Sequence, residues 1–116
     1  MNTLCTDIVP IIVTYNPDDC TLCSAIKVLA SQVETIVIVD NGSNINVESN
    51  LRALTEAEVS RIKLLALKQN YGLGMAYNHG IAFARQLEAK FVLLLDHDGI
   101  PQHDMLEKLH NAFTCL

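Results

Sequence analysis

The chain has 116 residues, 50% hydrophobic and 18% charged, with a net charge of −5 and a sequence pI near 5.2. That is the size and composition of one folded globular domain, which excludes a disordered segment. The acidic balance, with no basic run, gives nucleic acid and anionic lipid no long-range attraction. Apolar runs stop at about five residues, against the roughly 20 that a membrane-spanning helix needs.

The N-terminal stretch "MNTLCTDIVPIIV" carries no basic region and places Asp7 before its apolar residues, so it does not read as a signal peptide. The four cysteines, Cys5, Cys20, Cys23 and Cys115, therefore read as reduced thiols, and a cytoplasmic protein is expected.

Taken in chain order, "IVPIIVTYN" (8–16) is a continuous β-branched run, the pattern of a strand buried on both faces. Asn16 and Pro17 read as a helix start, a capping side chain followed by proline. Leu22, Ala25, Ile26, Leu29 and Val33 recur at helical spacing and predict an amphipathic helix over residues 18–32. "TIVIVDNGS" (35–43) is a second buried strand ending in a polar turn. Residues 44–60 predict a loop with a short helix around "NVESNLRAL". "RIKLLAL" (61–67) alternates charged and apolar residues at its start, as a strand nearer a sheet edge does. "NYGLG" (70–74) is a glycine-bearing loop, and Leu73, Ala76, Tyr77, Gly80, Ala84 and Leu87 mark one face of a second long helix. "KFVLLLD" (90–96) is the fourth strand, and residues 102–115 predict a final helix.

Alternating strands and helices make a parallel sheet covered on both faces, an α/β sandwich of Rossmann-like type. In such a sheet all strands point their C-terminal ends to one edge, where ligands bind. "TYNPD", "DNGS", "NYGLG" and "DHDG" all fall at that edge.

Asp96 and Asp98 stand two apart at the end of the fourth strand, so on extended backbone both face the same way and His97 the other. Neighbouring carboxylates repel, and a divalent ion resolves the conflict; magnesium and manganese prefer such oxygen ligands with substrate phosphates completing the shell. The alternative is that both are solvated and Asp98 with Gly99 only makes a turn. Asp40 closes the second strand, where its carboxylate can accept from a nucleobase imide or a ribose; Asn41-Gly42 equally marks a tight turn.

The glycines at 72, 74 and 80 miss the dinucleotide fingerprint, because the sixth position of the pattern is Tyr77. What stays is bare backbone feeding a helix N-terminus, suited to a diphosphate or sugar. Gly80 inside the helix signals close approach, either by ligand or by a packed element. Asn78 lies in the same turn as a further ligand candidate. Tyr15 and Asn16 end the first strand, and a tyrosine there either stacks on a base or covers the core rim. Cys20 and Cys23 form a C-x-x-C pair inside an amphipathic helix, where redox and zinc chemistry are disfavoured. His79, His97, His103 and His110 are scattered and read as surface residues.

"IIVTYN", "VIVDNGS", "LKQNYGLGMAYNHGIAFA" and "FVLLLDHD" occur in order over nearly the whole chain. Together they resemble the N-terminal, donor-binding half of family 2 inverting glycosyltransferases of the GT-A fold, most of all bacterial rhamnosyltransferases of surface polysaccharide. The resemblance implies transfer of a sugar from a nucleotide diphosphate donor, a dTDP- or UDP-sugar and most simply dTDP-rhamnose, to a saccharide or lipid-linked acceptor hydroxyl. It implies that Tyr15 packs on the base with Asn16 beside it and that Asp40 binds the base. It implies further that Asn70, Gly74 and Asn78 line the donor pocket, that Asp96 lies near the ribose, and that Asp98, with Asp96, holds Mg2+ or Mn2+.

In that family the general base and the acceptor site follow in a second half of the fold, whereas this sequence stops at Leu116. The base is thus expected outside this chain, the sheet incomplete at its C-terminal side, and its open edge a route to self-association. Nucleotide binding with little sugar transfer is the expectation. "DHDG" is also similar to the motif of haloacid dehalogenase phosphatases, in which the first aspartate attacks phosphorus and the second acts as acid. That class opens its domain with this strand; here it comes fourth.

Overall fold

The computed structural model describes residues 6–96, Asp96 by its backbone only. Its elements run β1 (Ile8–Thr14), α1 (Asp19–Ala30), β2 (Ile36–Asp40), a 3-10 helix (Val47–Leu51), α2 (Glu56–Ser60), β3 (Ile62–Ala66), α3 (Leu73–Gln86) and β4 (Phe91–Asp96). The strands form one sheet in the order β3-β2-β1-β4, and every pairing is parallel. The helix expected at 102–115 lies outside the described residues.

Parallel neighbours need crossovers, and the helices that make them cover both faces of the sheet. Along β1 the side chains alternate between two cores. Ile8 and Ile12, with Ile36 and Ile38 of β2, pack against Leu22, Ile26 and Leu29 of α1, with Val33, Val47 and Leu51 completing that layer. Val9, Ile11, Val13, Val37 and Val39 pack on the opposite face against Ala76 and Ala84 of α3. Two covered faces are why β1 and β2 read as unbroken apolar runs. β3 is half-buried, in keeping with the edge position that its mixed sequence predicts.

The helix start at Asn16-Pro17 is displaced by two residues. Asp18 caps α1, accepting from the Thr21 backbone N–H and hydroxyl, each at 3.0 Å. Those two donors hold the Asp18 carboxyl below the usual carboxylate range. Asn16 is not free to cap, because it sits at φ 47 and its side-chain oxygen accepts from the Asn44 N–H at 2.8 Å. The stretch after β2 contains two short helices rather than one; the second begins with a capping box between Thr55 and Glu58.

Gly80 owes its place to a packed strand. A Cβ there would stand 2.5 Å from Ile11 Cγ2 and 3.1 Å from Val39 Cγ2, so glycine is what lets α3 lie close on β1 and β2. Leu73 and Leu87, assigned by periodicity to the same face, are 52% and 40% exposed, since only the middle of α3 touches the sheet. Gly42 is constrained more strongly. Its φ is +79, and a Cβ would lie 2.4 Å from the backbone carbon of Gln69.

The C-x-x-C pair is split by its environment: Cys20 is exposed and Cys23 is buried, its thiol donating to the Asn50 carbonyl at 3.0 Å. Burial, reinforced by Asp19, pushes the Cys23 thiol up. Asn50 in turn donates to the Pro17 carbonyl at 3.2 Å and to the Asp19 carboxylate, tying the 3-10 helix to the start of α1.

Two predictions follow from these contacts. Gly42→Ala combines a left-handed backbone with a clash against immovable main chain and should lower unfolding free energy by roughly 2–3 kcal/mol. Gly80→Ala gains about 1 kcal/mol of helix propensity but overpacks the β1 core, for a smaller net loss. Urea denaturation checks both, and a Gly42→Ala chain as stable as the parent contradicts the first. Separately, alkylation of the native chain should modify Cys20 long before Cys23, and mass mapping of the peptides reads the order.

Candidate functional site

β2 and β3 succeed β1 on one side, and β4 then returns to its other side. The strand order reverses between β1 and β4, and the crevice outside the C-terminal ends at such a reversal is where α/β sheets bind ligands. Thr14 of β1 is in register with Asp40 of β2, which is in register with Ala66 of β3, and Val13 with Asp96 of β4. Asp40 and Asp96 therefore end strands on either side of β1, roughly 10 Å apart at two strand spacings.

Asp40 is the centre of the cluster. It is 6% exposed, and a carboxylate so placed has to be hydrogen-bonded. Its Oδ1 accepts from the Thr14 hydroxyl at 2.8 Å and from the Ser43 hydroxyl at 2.5 Å; its Oδ2 accepts from the Ser43 N–H at 3.0 Å. Oδ1 is thus filled, while Oδ2 keeps one acceptor position among the described residues.

Ser43 extends the network to the first loop, its hydroxyl oxygen accepting from the Asn16 N–H at 2.7 Å. With the bond from Asn44 N–H to the Asn16 side chain, this clamps the ends of β1 and β2 together. Tyr15, just past the end of β1, is 42% exposed at this edge.

The third loop is joined through Asn41, which is 4% exposed. Its backbone N–H donates to the Thr14 carbonyl at 2.8 Å, its Oδ1 accepts from the Tyr71 N–H at 3.0 Å, and its Nδ2 donates to Asn70 Oδ1 at 3.0 Å. Asn70 Oδ1 also accepts from the Gly72 N–H at 2.8 Å, just ahead of α3. Gly72 has φ +89, and a Cβ added at Gly72 or at Gly74 would meet nothing within 4 Å, so the backbone there is open to approach.

The structure thus brings Tyr15, Asn16, Asp40 and Asn70 to one edge with the backbone of Gly74 nearby. Asn78 joins none of these bonds: it is exposed, half a turn round α3 from the buried Ala76 and Gly80. Its neighbour Tyr77 turns to the sheet instead, donating its hydroxyl to the Leu95 carbonyl at 3.0 Å. Asp96 is the last residue of β4, and Asp98 lies outside the described residues. No group of three or more His, Cys, Asp or Glu able to hold a metal occurs among the described residues.

Three residues that gain a role here are Thr14, Asn41 and Ser43. Thr14 had a weak signal, a polar residue closing a buried apolar run. Asn41 and Ser43 lie in a recognised turn, but turn chemistry alone does not say which strand end they grip.

A parallel sheet with its polar side chains gathered at the strand ends defines an α/β domain of Rossmann-like type. The chain belongs to glycosyl transferase family 2, whose family model matches residues 11–114. It is 30% identical over 103 residues to the dTDP-rhamnosyl transferase RfbF of Shigella flexneri, across 89% of this chain and 33% of that protein. In fold it matches the crystal structure of S. aureus TarS 1-349 with a TM-score of 0.70 at 23% identity, over 91% of this chain and 32% of that one. The chain spans about a third of the length of each. No helix among the described residues is long and apolar enough to cross a membrane.

Replacing Thr14 by valine keeps the shape but removes a donor from a buried carboxylate. Thr14→Val should cost about 1.5–3 kcal/mol, the range for a hydrogen bond to a charged group. The midpoint of urea unfolding measures it, and an unchanged midpoint would show that Asp40 does not depend on this bond.

Proposed function

We propose that this chain is the donor-binding part of a glycosyltransferase that moves a sugar from a nucleotide diphosphate to an acceptor hydroxyl with inversion at the anomeric carbon. The observation that carries the proposal is the Asp40–Thr14–Ser43 cluster, held at the strand ends beside the reversal in strand order and two strands from the end of β4. Membership of glycosyl transferase family 2 gives the reaction class, and the likeness to a dTDP-rhamnosyl transferase favours dTDP-rhamnose among dTDP- and UDP-sugars.

In this reading the remaining acceptor position of Asp40 takes an N–H of the base, and Tyr15 lies against the ring. The diphosphate runs from there past Asn70, Gly72 and Gly74 towards Asp96. Asn78 flanks the open end of α3. Asp98 and Asp96 would hold Mg2+ or Mn2+, which would supply positive charge to offset the negative charge developing on the leaving diphosphate.

The acceptor oxygen attacks the anomeric carbon, the nucleoside diphosphate leaves, and a base outside this chain takes the hydroxyl proton. The acceptor is a saccharide, free or lipid-linked, and the setting is the cytoplasm, at the inner face of a membrane for a lipid-linked acceptor. Self-association is assigned to the outer side of β4, where Phe91, Val92 and Leu94 are 37%, 38% and 45% exposed.

Calorimetric titration of dTDP, UDP and GDP with Mn2+ tests this. dTDP should bind, and Asp98→Ala should weaken it by about tenfold or more; failure of all three nucleotides to bind removes the proposal. Incubation with p-nitrophenyl phosphate and Mg2+ tests the phosphatase alternative: steady hydrolysis abolished by Asp96→Asn would replace the glycosyltransferase reading.

A further inference from the structure

We propose that Asn41 is a positioning residue, which fixes the side-chain amide of Asn70 so that Asn70 offers N–H donors, and not its carbonyl, to the ligand at the strand ends. This rests on the reading that the edge takes a nucleotide diphosphate, and it adds the hydrogen-bonding polarity of one wall of that site.

The polarity follows from the backbone. The Tyr71 N–H meets the Asn41 side chain at 3.0 Å, and the Gly72 N–H meets the Asn70 side chain at 2.8 Å. A backbone N–H can only donate, so the atom facing it in each amide is the oxygen. With both oxygens set, the Asn41 nitrogen falls 3.0 Å from the Asn70 oxygen, donor to acceptor. Turning either amide over would place like groups against each other. Asn41 can impose this orientation because it is almost fully buried and its own N–H is bound to the Thr14 carbonyl at 2.8 Å.

Asn70 Oδ1 then accepts two hydrogen bonds, its full complement. What this exposed side chain has left is its pair of N–H donors, used by none of the bonds among the described residues. Beside it, Gly72 and Gly74 leave open space in which a Cβ would touch nothing within 4 Å. Two N–H donors left over on an exposed side chain call for an acceptor oxygen, and on a nucleotide diphosphate the charged phosphate oxygens accept most strongly.

Two variants and one probe, dTDP with Mn2+, test the assignment by calorimetry at low and high salt. Asn70→Asp keeps an oxygen for Asn41 and Gly72 but turns the outward donors into an acceptor. It should weaken dTDP by about tenfold or more. Most of that loss should persist at high salt, where plain charge repulsion is screened. Hydrogen exchange at the Gly72 amide should stay slow in this variant, as in the parent, and quicken in Asn70→Ala. Asn41→Asp sets oxygen against oxygen, so Asn70 turns over. Gly72 should then exchange faster, and dTDP should bind about tenfold more weakly per folded molecule.

If the parent chain binds dTDP and Asn70→Asp binds it equally well, or recovers fully at high salt, this assignment alone is wrong. It is equally wrong if Gly72 exchanges as fast in the parent as in Asn70→Ala. If the parent chain binds no nucleotide, the donor-site reading falls, and this inference with it.

Discussion

One buried carboxylate organises this end of the molecule. Asp40 closes β2 at a point where the core has not yet opened to solvent, and ionised oxygen there is tolerable only with donors around it. Thr14 supplies one from the neighbouring strand, and Ser43 supplies two from the following turn. The turn can deliver both because Gly42 adopts a positive φ, which folds the chain back onto the carboxylate. The ends of β1 and β2 are therefore joined by polar bonds in addition to the packing of Val13 and Val39 beneath them.

The loop before α3 is held by the same device one strand further out. The main chain at Gln69 and Asn70 passes so close over Gly42 that no side chain fits between them. That crossing brings Asn41 and Asn70 together, and the N–H groups of Tyr71 and Gly72 decide how their amides face. Three loops far apart in sequence thus form one continuous network, from Asn16 through Ser43 and Asp40 and from Thr14 through Asn41 to Asn70. Each member of this network is bonded to at least one other, which ties the three loops to one another.

The relation to its relatives gives this architecture its context. The chain belongs to glycosyl transferase family 2 and spans about a third of the dTDP-rhamnosyl transferase it resembles. Among the described residues the polar network lies at the C-terminal ends of β1 and β2 and in the loop before α3. An acceptor site and a proton-accepting base are separate demands, and no residue of the Asp40 network is assigned to either of them.

The sequence by itself determined the order of the four strands and of the two long helices between them, the buried nature of β1 and β2, the edge character of β3 and the family. Each rests on local patterns: apolar runs, helical spacing, glycine-bearing loops and four motifs in order. It also placed Asp40, Tyr15, Asn16 and Asn70 at strand ends, because an alternating α/β pattern forces every strand C-terminus to one edge. It misplaced the cap of α1, since Asn16 is taken up by a partner 28 residues away and Asp18 does the capping. Only the tertiary structure decided that Gly80 answers to Ile11 and not to a ligand, and that Cys20 and Cys23 have different surroundings. Only it could show that Thr14, Ser43 and Asn41 hold the site together. Those are contacts between segments distant in the chain, and a side chain's partners across strands depend on register and loop crossing, which no local pattern encodes.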